Sequence, residues 1–194
     1  MSEITLYVDV ISPYSYFAFT QRQRLRDAGH TLTIRPAAIR AIMAATGNVP
    51  TSVTCAAKMA YQRQDLRRWA ERLSLPLRAH PDFGKFSTVP LLQAILAAED
   101  QSETMMEAAF QAVWFEQANV TSDSAMRAFF DQRVEGGGKA WDMREDFAAA
   151  LDDSTAACIE AGGFGLPLFV AETGLYFGND RIDFLLEDLA AQAA

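Results

Sequence analysis

The chain has 194 residues and a formal net charge of −8; half of it is hydrophobic and 22% is charged, an ordinary globular composition with room for one large domain or a domain carrying an insertion. The acidic balance argues against nucleic acid as the main partner, and no apolar run approaches the ~20 residues that a membrane helix requires. Two cysteines outside any CxxC and two histidines leave no metal-ligand spacing, so no metal is expected, and Cys55 and Cys158 read as small buried hydrophobes. Met1–Ile4 lacks the basic start and apolar stretch of a signal peptide, which makes the cytoplasm the expected location.

The elements follow from periodicity. Ile4, Leu6, Val8 and Val10 alternate with Thr5, Tyr7 and Asp9 and predict a first strand. Ser12-Pro13 predicts a helix start, because a serine hydroxyl accepts from free backbone N–H groups and proline suits the first helical position. That helix runs through Phe17, Ala18 and Leu25 to Gly29, and a second strand follows over Thr31–Arg35, ended by Pro36. Leu66, Trp69, Ala70 and Leu73 make one helical stripe. Met106, Ala109, Phe110 and Val113 make another after a cap at Ser102, and Met126, Phe129 and Phe130 a third from near Asp123. Gly136-Gly137-Gly138 reads as a loop, followed by a long helix over Arg144–Ala161 that ends at Gly162-Gly163. The tail predicts a hairpin of Leu168–Ala171 and Leu175–Phe177, then a helix capped by Asn179/Asp180 with Ile182, Leu185, Leu186 and Leu189 on one face. The order is βαβ, a helical block, then αββα.

Charge is uneven along this order. Residues 1–97 hold 12 Lys/Arg and 6 Asp/Glu, a balance of +6, whereas residues 98–194 hold 5 and 19, a balance of −14. An anionic small molecule held by the first half suits this field, and so does docking of one half against the other.

Three junctions carry potential chemistry. Ser12-Pro13-Tyr14-Ser15 joins a strand to a helix N-terminus, where free N–H groups and the dipole favour an anion such as a thiolate, and a serine O–H there lowers a thiolate's pKa by donating to it. The same Ser-Pro pair is also a common plain helix start. Gly163-Phe164-Gly165-Leu166-Pro167 leads into an apolar strand and reads either as a cis-proline turn that presents backbone to a ligand or as a simple tight turn. Phe177-Gly178-Asn179-Asp180-Arg181 precedes the last helix and reads either as a seat for a charged ligand end or as an Asx cap. Around one sheet, all three can lie at one edge.

Asp9-x-x-Ser12-Pro13-Tyr14-Ser15-Tyr16, Lys58 upstream of Asp65-Leu66-x-Arg68-Trp69-Ala70, Phe164-Gly165-Leu166-Pro167 and Gly178-Asn179-Asp180-Arg181, in that order and spacing, resemble the 2-hydroxychromene-2-carboxylate isomerases. These are relatives of kappa-class glutathione transferases and DsbA-type oxidoreductases, and the resemblance spans nearly the whole chain. It implies an α/β fold: a thioredoxin-like domain of residues 1–40 and 141–194, interrupted by an all-helical insertion over 41–140. It implies glutathione as cofactor, with Ser12 at its sulfur in place of a CxxC cysteine. Leu166, before a cis Pro167, would pair its backbone with the tripeptide, and Phe177, Gly178, Asn179 and Asp180 would hold the γ-glutamyl end. Met43, Asn48, Ser52, Val53, Lys58 and Phe83 would line the substrate side, Lys58 near the cleft between domains.

The implied reaction is cis–trans isomerisation of an aromatic or conjugated carbonyl compound: thiolate addition, rotation about the new single bond, and elimination. A homodimer is the implied assembly. Members acting on the naphthalene-derived chromene are expected to carry a lysine near Met43, an Asn-Arg pair near Ser52-Val53 and a tyrosine near Phe83. This chain has apolar or small residues at all four, and Leu168 where threonine is commoner, so a less polar substrate is expected. A kappa-like glutathione transferase would use the same thiolate. A non-catalytic thioredoxin-fold binding module would use none. Serine at both ends of the SPYS motif excludes the disulfide of a thiol–disulfide oxidoreductase.

Overall fold

The computed structural model describes residues 1–50 and 54–192. Four strands form one mixed sheet in the order β2-β1-β3-β4: β1 Glu3–Val8, β2 Thr31–Pro36, β3 Leu168–Ala171 and β4 Gly174–Phe177. β1 runs parallel to β2, with Leu6 opposite Ile34, and antiparallel to β3, with Leu6 opposite Phe169; β4 closes the hairpin, with Tyr176 opposite Phe169. Strand alternation assigns the two faces. Ile4, Leu6 and Val8 enter the larger core with Phe110, Met126, Phe130 and Trp141, whereas Tyr7 joins Ala37, Ile42, Cys158, Leu166 and Leu168 on the other side.

The expected βαβ…αββα order is present. α1 (Pro13–Thr20), α2 (Arg22–Asp27), α3 (Ile39–Thr46), α4 (Ala56–Arg72), α5 (Val89–Ala97), α6 (Ser102–Trp114), α7 (Asp123–Asp131), α8 (Gly137–Met143), α9 (Ala148–Glu160) and α10 (Ile182–Gln192) surround the sheet. Among the described residues, no helix is long and apolar enough to cross a membrane. The charge asymmetry has a structural use. The three arginines of α2 meet acids of the second half: Arg22 lies 3.1 Å from Glu107, Arg26 pairs with Glu103, and Arg24 pairs with Asp183.

Several elements differ from expectation. The single helix expected after Ser12 is broken at Gln21, because Thr20 Oγ1 (2.9 Å) and Gln21 Nε2 (3.1 Å) both donate to the Phe17 carbonyl and compete with the helical ladder. Ser102 does not cap; it is already helical behind a 3₁₀ turn over Glu99–Gln101. Arg144–Phe147 is likewise a 3₁₀ turn, and α9 begins only at Ala148. Cys158 is buried, but Cys55 is only half-buried at the start of α4.

The triple glycine is not a loop. Gly136 takes the left-handed conformation as the N-cap, and Gly137 and Gly138 form the first turn of α8 against α7. A Cβ on Gly137 would lie 2.5 Å from the Phe130 carbonyl oxygen, so the glycines serve close helix approach. Gly137→Ala is therefore expected to destabilise the fold by about 1–3 kcal/mol despite alanine's better helix propensity, measured by urea unfolding. A stabilised variant would contradict the packing role.

Candidate active site

Beyond Val8 the chain leaves the sheet and turns, with Ser12 N donating to Asp9 O at 3.0 Å. Ser12 is the extended N-cap of α1, Pro13 occupies the first turn, and Ser12 Oγ accepts from Ser15 N at 3.1 Å. Its own O–H donates to the Leu166 carbonyl at 3.2 Å. The hydroxyl thus sits where the helix dipole and free N–H groups favour negative charge. Ser15 points inward, and its Oγ accepts from Asp9 N at 3.4 Å.

Asp9 anchors this junction from beneath. Its Oδ1 accepts from Ile11 N (3.0 Å) and Thr88 Oγ1 (2.8 Å), and its Oδ2 accepts from Ile39 N (3.0 Å). One buried carboxyl therefore joins the β1–α1 turn, the start of α3 and the start of α5. Burial pushes its pKa above the usual carboxylate value, against the downward pull of those hydrogen bonds and of Arg40. Trp114 Nε1 adds a bond to Val10 O at 2.7 Å.

The second junction meets the first. The Leu166–Pro167 peptide is cis, as the resemblance implied, and Gly178 N donates to Pro167 O at 3.0 Å, bringing the third junction beside it. Gly165 lets the chain pass Phe177, whose ring would stand 3.1 Å from a Cβ there, and the Phe164 and Phe177 rings lie 4.6 Å apart. Ser12, Leu166, Pro167, Phe177, Gly178, Asn179 and Asp180 thus meet at one end of the sheet, at and past the last residues of β1 and β4 and the first of β3. Asn179 does not act as the expected Asx cap. Residues 179–181 form a 3₁₀ turn without a side-chain cap bond, and Asn179 is 3% exposed with no partner for Nδ2 among the described residues.

Gly178 has φ 105° and ψ 158°, a region open essentially to glycine alone, and a Cβ would lie 2.6 Å from Asp180 Oδ1. Gly178→Ala is expected to cost about 1–3 kcal/mol in chemical denaturation. Unchanged stability would remove the geometric reason for glycine there.

The substrate-side residues are less gathered. Asn48 Nδ2 donates to Phe164 O at 2.7 Å and so reaches the Phe164–Phe177 pair. Met43 is half-buried on α3, and its carbonyl accepts from Asn48 N at 3.0 Å. Phe83 is half exposed and packs on Trp114 with ring centroids 5.5 Å apart. Lys58 is exposed on the first turn of α4. Ser52 and Val53 lie outside the described residues.

Two contacts escape sequence reasoning. Tyr14 O–H donates to Asp65 Oδ2 at 2.9 Å, tying α1 to α4; burial first, then this bond and the nearby acids, push the phenol far above its usual pKa, so it remains a donor. Thr88, on which Asp9 depends, lies outside every quoted motif. Cys158 is no competitor for sulfur chemistry, since burial pushes its thiol up to about 11.

A mixed four-stranded sheet with a cis-proline loop facing a helix N-terminus defines a thioredoxin-like fold with added helices. The chain belongs to the family of the DSBA-like thioredoxin domain, whose model matches residues 3–190. It is 32% identical to glutathione S-transferase kappa 1 of Caenorhabditis elegans over 99% of this chain and 92% of that protein. It is 28% identical to 2-hydroxychromene-2-carboxylate isomerase of Pseudomonas putida over 95% of this chain and 92% of the relative. A solved structure of a 2-hydroxychromene-2-carboxylate isomerase superposes with a TM-score of 0.82 at 25% identity, covering 98% of this chain and 96% of that one.

Proposed function

We propose that this chain is a glutathione-dependent isomerase of an aromatic or otherwise conjugated carbonyl compound, with Ser12 as the donor to the glutathione sulfur. The observation that carries the reading is the Ser12 hydroxyl, seated at the N-terminus of α1 and 3.2 Å from the carbonyl that precedes a cis proline.

The residues fit the tripeptide. Leu166 lies at the site edge and offers backbone for strand-like pairing. Asn179 keeps a buried amide donor with no acceptor among the described residues, suited to the carboxylate of a γ-glutamyl group, and Asp180 beside it suits the ammonium. Glutathione supplies the thiolate that adds reversibly to the conjugated double bond.

Ser12 O–H can turn from Leu166 O toward sulfur by rotation of the proton alone, while Ser15 N continues to donate to Oγ and polarises the hydroxyl. The helix N-terminus adds its partial positive charge. Asp9 holds the turn that places Ser12, and Tyr14–Asp65 holds α4 against it. Phe83, Met43 and the Phe164–Phe177 pair favour a substrate of low polarity, and the exposed Lys58 on α4 is a further candidate for the substrate side.

A kappa-like glutathione transferase is the second reading, favoured by the 32% identity to the Caenorhabditis elegans protein. Calorimetric titration with glutathione, with the thiolate absorbance followed against pH, tests the shared step. Absence of binding would sink both readings. Incubation with conjugated aromatic enones then separates them: an isomerised product with glutathione regenerated supports the isomerase, and a stable adduct the transferase.

A further inference from the structure

A cavity of about 120 Å³ opens where the end of α1, the start of α2 and the last turns of α4 face the 3₁₀ turn that leads into α10. Its walls include Gln21, Arg24, Trp69, Arg72, Asp180 and Asp183. Asp180 therefore belongs both to this cavity and to the cluster around Ser12 and the cis Pro167. The space far exceeds the ~10–15 Å³ that one water needs.

Most polar groups in the walls are already engaged. Gln21 Nε2 donates to Phe17 O at 3.1 Å, and Gln21 Oε1 accepts from Arg24 at 3.0 Å. Arg24 gives its other terminal nitrogen to Asp183. Asp180 Oδ2 accepts from Arg181 at 2.8 Å, whereas its Oδ1 has no hydrogen-bond partner among the described residues.

Arg72 differs from the arginines around it. It is exposed in the last turn of α4 and meets no carboxylate among the described residues. Its guanidinium lies 5.6 Å from the centroid of the half-buried Trp69 ring, close enough for the aromatic face to steady it at the cavity. The planar fork of N–H donors is thus left for a carboxylate from outside the chain.

One cavity therefore presents an uncommitted cationic fork and an uncommitted carboxylate oxygen. An α-amino-acid head, with carboxylate and ammonium on the same carbon, needs that combination. The γ-glutamyl end of glutathione carries such a head, whereas the glycine end carries a carboxylate alone.

We propose that Arg72 is a specificity-determining residue, donating through its guanidinium to the α-carboxylate of the γ-glutamyl group while Asp180 takes the ammonium. The proposal rests on the glutathione reading and deepens it: this end of the site reads a free α-amino-acid head and does not accept every thiol peptide equally.

The test compares two ligands by calorimetry on the full chain. One is glutathione; the other is 4-aminobutanoyl-cysteinyl-glycine, the same peptide without the α-carboxylate. Wild type is expected to prefer glutathione about tenfold, the effect of one charge-assisted contact. Arg72→Gln should weaken glutathione about tenfold and leave the decarboxylated peptide unchanged, so that the preference disappears. A merely structural role for Arg72 would weaken both ligands alike. Arg72→Lys keeps the charge at the end of α4 but loses the fork, and should recover only part of the preference. A preference that survives in Arg72→Gln, or equal binding of the two peptides by wild type, would overturn the proposal and leave the glutathione reading standing. Binding of neither peptide by wild type would remove both.

Discussion

Ser12→Ala is expected to return the thiol of bound glutathione to a pKa of about 8.5 and to cut turnover roughly 10²–10³-fold. The thiol shift follows from the loss of a donor at the helix N-terminus, because hydrogen bonding to the charged form is what lowers a thiol pKa there. On the proposed function, the rate effect follows because the same donor would stabilise charge on sulfur as it leaves the adduct. Ser12 is also the N-cap of α1, so the variant should lose about 1 kcal/mol of stability for a different reason. Ser12→Asn separates the two effects, since asparagine caps a helix as well as serine does but places a larger amide in a site where Ser12 is only 6% exposed. Restored stability with activity still lost is the expected outcome. If Ser12→Ala binds glutathione with an unaltered thiol titration and turns over normally, the serine is a cap and nothing more.

The legible part of this site is the part built from local backbone chemistry. Ser12-Pro13 announces a helix start because both residues act through their own backbone geometry, whereas the Pro167 turn is local but leaves cis and plain turn open on its residues alone, and cis follows only from the resemblance. The hairpin from Leu168 to Phe177 is equally local. What was hidden depends on distance in sequence. Asp9 reads as a polar position in an alternating strand, yet its partners Ile39 and Thr88 lie far along the chain, and no periodicity in a single sequence connects them. α5, with Leu91, Leu92, Ala94 and Ile95 all buried, is apolar around most of its circumference and so gives no stripe to read. The triple glycine misleads because backbone freedom and close helix approach both select glycine, and only the Phe130 carbonyl decides between them. The charge asymmetry left two readings open, and the arginines of α2 against Glu103, Glu107 and Asp183 give the docking of halves a physical basis without removing the first. These pairs are partly exposed and add little stability each, so they orient more than they bind.

Asp9→Ala is expected to destabilise the fold by about 3–5 kcal/mol, more than any other single change discussed for this chain. Three donors, the part-buried Ile11 N and Ile39 N and the buried Thr88 Oγ1, lose their acceptor together, and the junctions they hold belong to different elements. Asparagine is no rescue, because its amide nitrogen would face one of those donors. The sign of the pH dependence separates this carboxyl from an ordinary salt-bridged aspartate. Burial raises its folded-state pKa above the unfolded value, so the protonated form is the one the fold favours. The stability difference between wild type and Asp9→Ala should then be fully present below about pH 3.9 and should shrink as pH rises through the higher folded-state value. Urea unfolding of both proteins across that range measures the difference directly and cancels the acid sensitivity they share. A gap that widens with pH would mean that the three hydrogen bonds and Arg40 outweigh burial. The proximity of Asp9 to the N-terminus of α1 makes the distinction functional, because the carboxylate charge that burial disfavours beneath that turn would oppose a thiolate above it.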